Sequence, residues 1–217
     1  ATDGAAPVEI ISRDTIELLG ATTVADITRN LTASSGAENN ADSFTSGSTQ
    51  GTSNVNLRGL GLSSTLVLID GKRNTVSAQT ANDGSVFVDT NMIPVVALER
   101  VEVLKEGAAS VYGSDAVAGV VNYILRRDFT GVEVNVSQQK ADLGDQTDDR
   151  VSVMWGTEIN DANLVVAYSE LNRSPIAGTE ITEYSQLAIS SLGNSFLVLP
   201  GGADTFTSVD SGPYAGT

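Results

Sequence analysis

The sequence predicts an α+β domain, a small mixed sheet with short helices, running on into the first antiparallel strands of a transmembrane β-barrel. Two observations carry this. Within residues 98–127, LERVEVLKEGAASVYGSDAVAGVVNYILRR, β-type runs at 100–104 and 120–125 flank a small-residue segment in which Gly107, Gly113 and Gly119 recur every six positions. Glycine permits left-handed turns and close approach of backbones, so the segment reads as a tight crossover between strands. From residue 129 the texture changes. Val132, Val134 and Val136, then Val151, Val153 and Trp155, then Leu164, Val166 and Tyr168 alternate with polar or small residues. That is the period-two signature of strands with one apolar stripe each, as at the opening of a barrel. The division falls at 128, giving domains 1–128 and 129–217.

The elements follow in order. Residues 7–12 (PVEIIS) make a short strand, and Arg13-Asp14 opens a helical turn that Gly20 stops. Thr22 or Thr23 caps a second helix to Leu31, with Val24, Ile27 and Leu31 on one face. Residues 32–54 form a long polar loop with Phe44 its one large apolar residue, and such loops are commonly functional or disordered. Residues 55–58 are a strand end closed by Gly59, and 65–69 a strand ending in the Asp70-Gly71 turn. Residues 74–85 are a second polar loop, with no hydrophobic anchor beyond Val76. Ile93-Pro94 begins a helical turn to Leu98. The expected core is Ile10, Val67, Ile69, Val101, Val103, Val121 and Ile124, with Leu18 and Ile27 packing from the helices. Polar turns at 142–149 and Asn160-Asp161 separate three strands, and residues 174–217 are Gly/Ser/Thr-rich with no evident closing strand.

Composition excludes several classes. Twelve basic against 27 acidic residues give a net charge of −15, against nucleic acid as a partner, since phosphate binding needs clustered cations. Residues 58–127 hold seven basic and seven acidic residues, so the acidity sits on the flanks. No cysteine means no disulfide or thiolate chemistry, and no histidine removes the usual proton shuttle and the commonest metal ligand. An enzyme would be left with carboxylates, Lys and Tyr; Glu99, Glu102 and Glu106 qualify by type only. Neither a catalytic residue nor a cofactor is expected. Gly59-x-Gly61 precedes a strand and has Ser64 where a dinucleotide fingerprint needs glycine, and Gly71-Lys72 lacks the other residues of a phosphate loop. The acidic turn at 142–149 lacks the ligand spacing of a calcium loop. The chain starts at Ala1 with no signal segment, which suggests a processed chain or an excised fragment.

Five blocks, in order, add a resemblance. Asn56-Leu57-Arg58-Gly59, Leu66-Val67-Leu68-Ile69-Asp70-Gly71-Lys72-Arg73, Val88-Asp89-Thr90-Asn91-Met92-Ile93-Pro94, Leu98-Glu99-Arg100-Val101-Glu102 and the stretch from Val103 to Asn122 resemble the plug domain of TonB-dependent outer-membrane receptors. The likeness covers roughly residues 7–173. It implies a plug domain followed by the first strands of a barrel of about 22 strands, so the chain is expected to be a truncated piece.

The resemblance also implies a function that needs no catalytic residue. Such receptors sit in the outer membrane of Gram-negative bacteria, in contact with its lipid. They bind a scarce siderophore, vitamin or oligosaccharide and import it with energy from the inner-membrane TonB complex. The family's plug apices correspond to residues 42–53 and 73–85, which makes Gln50, Asn54, Arg73, Asn74, Gln79 and Asn82 candidate ligand contacts. Arg58 and Lys105 match the plug cations that face barrel glutamates, with Glu99 and Arg100 beside them; Lys105 lacks arginine's bidentate fork. Residues 1–6 do not resemble a TonB box. The rival reading is a soluble acidic α/β binding or adhesin module with a β-rich tail. It would tolerate charges on either face of its strands, where a barrel needs one uniformly apolar stripe.

Overall fold

The computed structural model describes residues 8–37, 49, 51–105, 108–140, 146–160 and 162–174, with the backbone of 196–198 and 206–208. The chain forms two compact units, Ala1–Ser137 with Arg150–Leu171, and Gln138–Asp149 with Asn172–Thr217.

In the first unit, strand β1 (Val8–Ser12) passes directly into helix α1 (Arg13–Leu18), because the Ser12 hydroxyl accepts from the Thr15 amide. Gly20, at φ +60°, ends the turn. Helix α2 (Val24–Arg29) opens on a capping box: Thr23 Oγ1 accepts from Asp26 N, and the Asp26 carboxylate accepts from Thr23 N at 2.8 Å and Thr22 N at 3.0 Å. Burial would raise the pKa of Asp26, but these bonds from Thr23 and Thr22 outweigh it and hold the carboxyl below its ordinary value.

Strands β2 (Thr65–Ile69) and β3 (Lys72–Arg73) close around Asp70 and Gly71 at φ +50° and +75°, the geometry a two-residue Asp-Gly hairpin requires. Strand β4 (Leu98–Leu104) pairs antiparallel with β5 (Gly119–Leu125), and β5 pairs parallel with β2. The sheet order is β1-β4-β5-β2-β3. The β4–β5 connection carries helix α3 (Ala109–Tyr112) and a 3-10 turn, Ser114–Ala116. Gly119, at φ +136°, lies where a Cβ would stand 2.5 Å from the Leu104 carbonyl oxygen and 2.8 Å from Leu57 Cδ1. Backbone passes backbone at this crossover, as the small-residue segment predicts.

Register assigns the faces. Ile11, Val101 and Tyr123 lie opposite one another, as do Val103, Val121 and Val67. This face packs on Ile16, Val24, Ile27, Leu31, Leu57 and Leu98, all buried, with Ile69 partly buried beside them. Each such aliphatic side chain contributes about 1.5–3 kcal/mol when fully buried. On the other face Leu66, Leu68, Leu104 and Val120 meet Ala108 and Ala116 of the crossover.

Three core expectations are corrected. Ile10 is 59% exposed and Leu18 is 89% exposed, and the buried residues are Ile11 and Ile16. Pairing puts Ile10 opposite Glu102 on the outer face, and Ile124, opposite Arg100, shares that face and is half-buried. The 74–85 loop does have an anchor: Ala81 is buried with Leu62 and Phe87, while Val76 is exposed. Residues 55–58 contribute one isolated bridge, Leu57 to Ser34, in place of a strand, and α2 stops at Arg29.

Strands β6 (Gly131–Lys140), β7 (Thr147–Ile159) and β8 (Ala162–Arg173) form an antiparallel three-stranded sheet in that order. Val132, Val134, Val136, Val151, Trp155, Leu164, Val166 and Tyr168 are exposed on one face, with Val153 half-buried. Ser152, Met154 and Gly156 are buried on the other, and a side chain at Gly156 would collide with the Phe129 carbonyl. β7 begins at Thr147, so the expected turn at 142–149 is shorter than the sequence suggests; residues 142–145 lie outside the described residues.

In the second unit Arg173 ion-pairs with Asp148, and Thr147 N donates to Ser174 Oγ at 2.7 Å. Strands β9 (Phe196–Val198) and β10 (Phe206–Ser208) pair antiparallel in a stretch where the sequence shows no strand. No helix among the described residues is long and apolar enough to cross a membrane, which leaves spanning strands untouched.

Candidate functional site

The loop that follows the β2–β3 hairpin is held at its base and open at its tip. Arg73 Nη1 pairs with Asp115 Oδ2 at 2.5 Å, and its Nη2 donates to the Tyr112 carbonyl at 2.5 Å, so the loop starts from the β4–β5 crossover. Asn74 Nδ2 donates to Met92 Sδ at 3.0 Å. Ser77 N donates to Phe87 O and Ala81 N to Ser85 O, which closes a narrow ladder on the buried Ala81. Gln79 and Asn82 are exposed beside it. Asp83, bonded by the Ser85 hydroxyl and amide, stays below the usual carboxylate range.

The first polar loop is different. Gln50 and residues 42–48 lie outside the described residues. Thr52, Ser53 and Asn54 are buried, so Asn54 is no open apex contact. Ser53 N donates to Asp89 Oδ1 at 3.0 Å, and Thr90 donates from N and Oγ1 to the Ser53 carbonyl at 2.8 and 3.1 Å. Asn91 Nδ2 donates to Gly51 O at 2.9 Å. A polar strip is thereby buried, with the Ser53 N–H and carbonyl satisfied from the 89–91 turn and the Thr52 N–H by the Thr49 carbonyl.

The four expected charge contacts separate into distinct local sets. Arg58, itself at φ +57°, donates from Nη2 to the carbonyls of Val117 and Ala118 at 3.0 and 3.1 Å. Lys105 Nζ pairs with Glu9 at 2.6 Å and donates to Thr32 Oγ1 at 3.2 Å, fastening the edge strand β1. Arg100 bridges Glu99 and Glu102 at 2.8 Å each, and Asn122 Nδ2 completes Glu102 at 3.2 Å. Arg100, Glu102 and Asn122 of that network lie on the outer face of the sheet, beside Ile10 and Ile124.

A further charge cluster has no counterpart among the expected contacts. Glu133 on β6 receives Arg126 Nη1 at 2.6 Å and Arg13 Nη2 at 3.3 Å, and Asn135 Nδ2 at 3.0 Å. The one signal in the sequence is alternation, which sets Glu133, Asn135, Ser137 and Ser152 opposite the apolar stripe. A cleft of about 710 Å³ lies between residues 93–97, the end of β5 and β8, with Ile93, Pro94, Leu125, Val165 and Ala167 on its walls and Arg127 and Asp128 at its rim. No group of three carboxylate, His or Cys side chains able to hold a metal occurs among the described residues.

Residues 1–120 match the family model described as the TonB-dependent receptor plug domain. This chain belongs to that family. Solved structures show the same fold. The ferric enterobactin receptor PfeA from Pseudomonas aeruginosa, a mutant form, is 24% identical with a TM-score of 0.62 over 82% of this chain and 26% of its own. The unliganded ferric citrate transporter FecA is 23% identical, with a TM-score of 0.60 over 79% of this chain and 26% of that one. The siderophore receptor PirA from Acinetobacter baumannii is 26% identical, with a TM-score of 0.55 over 76% and 24%. The chain thus spans about a quarter of each receptor, the plug and the strands that follow it. The fold class expected from sequence, an α+β plug leading into antiparallel strands, is the one observed.

Proposed function

We propose that this chain is the plug and opening wall of an outer-membrane receptor that binds a scarce small ligand and imports it with energy from the TonB complex. The observation that carries the reading is the apolar stripe of β6–β8. Eight of its nine side chains are exposed on one face, directly after a domain of the plug family, while the opposite face carries the buried Ser152, Met154 and Gly156 and the half-buried Glu133, Ser137, Val165, Ala167 and Ser169. Water does not favour such a stripe and hydrocarbon does. The short connection between β7 and β8 at Asn160 fits a tight turn at one membrane face. The partners are outer-membrane lipid on the stripe, the TonB complex, and a ligand at the 73–85 loop; nucleic acid is not among them. The functions named for PfeA, PirA and FecA favour an iron chelate over a vitamin or an oligosaccharide. No catalytic chemistry is part of this function.

Binding by cells carrying the receptor tests it, with ferric enterobactin and ferric citrate as probes. Gln79→Ala with Asn82→Ala, which spares the Ala81 anchor, should weaken binding about tenfold with normal outer-membrane assembly. Undiminished affinity for a chelate that the unaltered receptor binds removes the loop from the site. Absence of binding to both chelates removes the iron-chelate assignment.

A further inference from the structure

Glu133 joins two parts of the domain that are far apart in sequence and meet on one short piece of main chain. Arg13 Nη1 donates to the carbonyls of Val95 at 2.9 Å and Leu98 at 3.3 Å. Arg126 Nη1 donates to Val96 O at 3.2 Å, and Arg126 N donates to Ala97 O at 2.9 Å. Four consecutive carbonyls, 95 through 98, are therefore satisfied by two arginines, and both arginines converge on the one carboxylate of Glu133. Arg126 is also held flat, 4.5 Å from the Phe129 ring centroid, and Arg13 Nε pairs with Glu17 at 2.7 Å.

The electrostatics make Glu133 the weak point of this arrangement. The side chains of Arg13, Arg126 and Glu133 are 22%, 22% and 26% exposed, so water screens them only in part. With the carboxylate present, each guanidinium has a charge-assisted bond and a fixed orientation toward its carbonyls. Without it, two cations converge on one point and repel. Glu17 is 62% exposed and bonded to Arg13 through Nε, a different nitrogen from the one that meets Glu133, so it does not replace the shared anion. The sheet is indifferent to this exchange, because the buried Val101, Val103 and Val121 and their ladders use none of these groups.

The geometry points to a latch: Glu133 is the pin by which the first wall strand holds helix α1 and residues 95–98, and neutralising it releases both from the strand while the five-stranded sheet stays closed. The latch rests on the reading of β6–β8 as wall strands, so its test must separate the two. Hydrogen exchange on the receptor extracted from outer membranes gives the readout. Glu133→Gln should speed exchange in residues 13–18 and 95–98 by about fivefold or more and leave 101–104 and 120–124 unchanged. Arg13→Gln should do the same over 13–18, and combining the two should add nothing, because the shared interaction is already lost. Uniform acceleration, no acceleration, or additive effects overturn the latch. If Glu133→Gln does not assemble, Arg13→Gln alone is compared over 13–18 against 101–104: acceleration confined to 13–18 supports the latch, and any other pattern overturns it. The wall reading has its own arm. Val134→Cys that reacts with a water-soluble maleimide in intact membranes overturns the wall assignment whatever the exchange pattern shows.

Discussion

Gly119→Ala and Gly113→Ala form a matched pair that tests the crossover between β4 and β5. Both glycines hold positive φ, +136° and +87°, so alanine at either costs roughly 1–3 kcal/mol in backbone strain. They differ in surroundings. A Cβ at Gly113 meets nothing within 4 Å, whereas at Gly119 it stands 2.5 Å from the Leu104 carbonyl oxygen and 2.8 Å from Leu57 Cδ1. The first of those neighbours is backbone of a central strand and the second is a fully buried side chain, so neither yields without moving the core. Overpacking of this kind adds about 1–3 kcal/mol. With a urea slope of about 1–3 kcal/mol per molar, the Gly119 variant should unfold roughly 1 M earlier than the Gly113 variant. Urea titration of residues 1–128 by circular dichroism reads the difference. Equal midpoints would refute the argument that close backbone approach, beyond left-handed φ alone, fixes glycine at 119.

Further outcomes follow from the same structure. Expression of residues 1–128 should give a soluble folded domain, whereas 1–217 should form oligomers or precipitate unless detergent is present, because β6–β8 carry an exposed stripe and open edges; size-exclusion chromatography decides, and a clean detergent-free monomer of 1–217 contradicts the barrel assignment. Val134→Arg should cost about 2–4 kcal/mol of assembly near the middle of the hydrocarbon and reduce the folded fraction in the outer membrane, while normal assembly would place Val134 away from lipid. Asp26 has a folded pKa below its ordinary 3.8, so its stabilisation is present above that value and fades as pH falls through the lower folded one. Asp26→Asn should therefore narrow the gap in urea midpoint between pH 6 and pH 3, and Thr23→Ala should cost about 1 kcal/mol at pH 6.

Local chemistry was the legible part of the sequence. Asp70-Gly71 fixes its hairpin alone, Thr23 and Asp26 cap their helix within four residues, and the period-two stripe of β6–β8 lies within single strands. The errors arose where a distant partner makes the choice. In Val-Glu-Ile-Ile either isoleucine fits an inward position, and Val101 on β4 selects Ile11. Ala81 looks like one more small loop residue until Leu62 and Phe87 close over it. Ser53 reads as solvated loop because its satisfying groups, on Asp89 and Thr90, lie elsewhere in the chain. Alternation sets Glu133 opposite the apolar stripe, but nothing near it in sequence names Arg13 as a partner. The apex residues divide the same way: composition selected both loops, and burial alone distinguishes Asn54 from Gln79 and Asn82.

The position of β1 in the sheet also bears on how the domain assembles and comes apart. Among the described residues it is the first strand and an edge strand, paired there with β4 alone, whose residues follow about ninety positions later. During folding β1 does not form its observed pairing until β4 is in place, so it waits while the β4–β5 ladder, separated by a much shorter stretch, can zip first. The same placement works in reverse. A pull on the N-terminus meets five residue pairs and the Glu9–Lys105 contact, and stripping β1 away leaves β4, β5 and β2 still bonded to one another. Order of arrival and order of departure are thereby mirror images, with β4, β5 and β2 as the part of the sheet that forms without β1 and outlasts it.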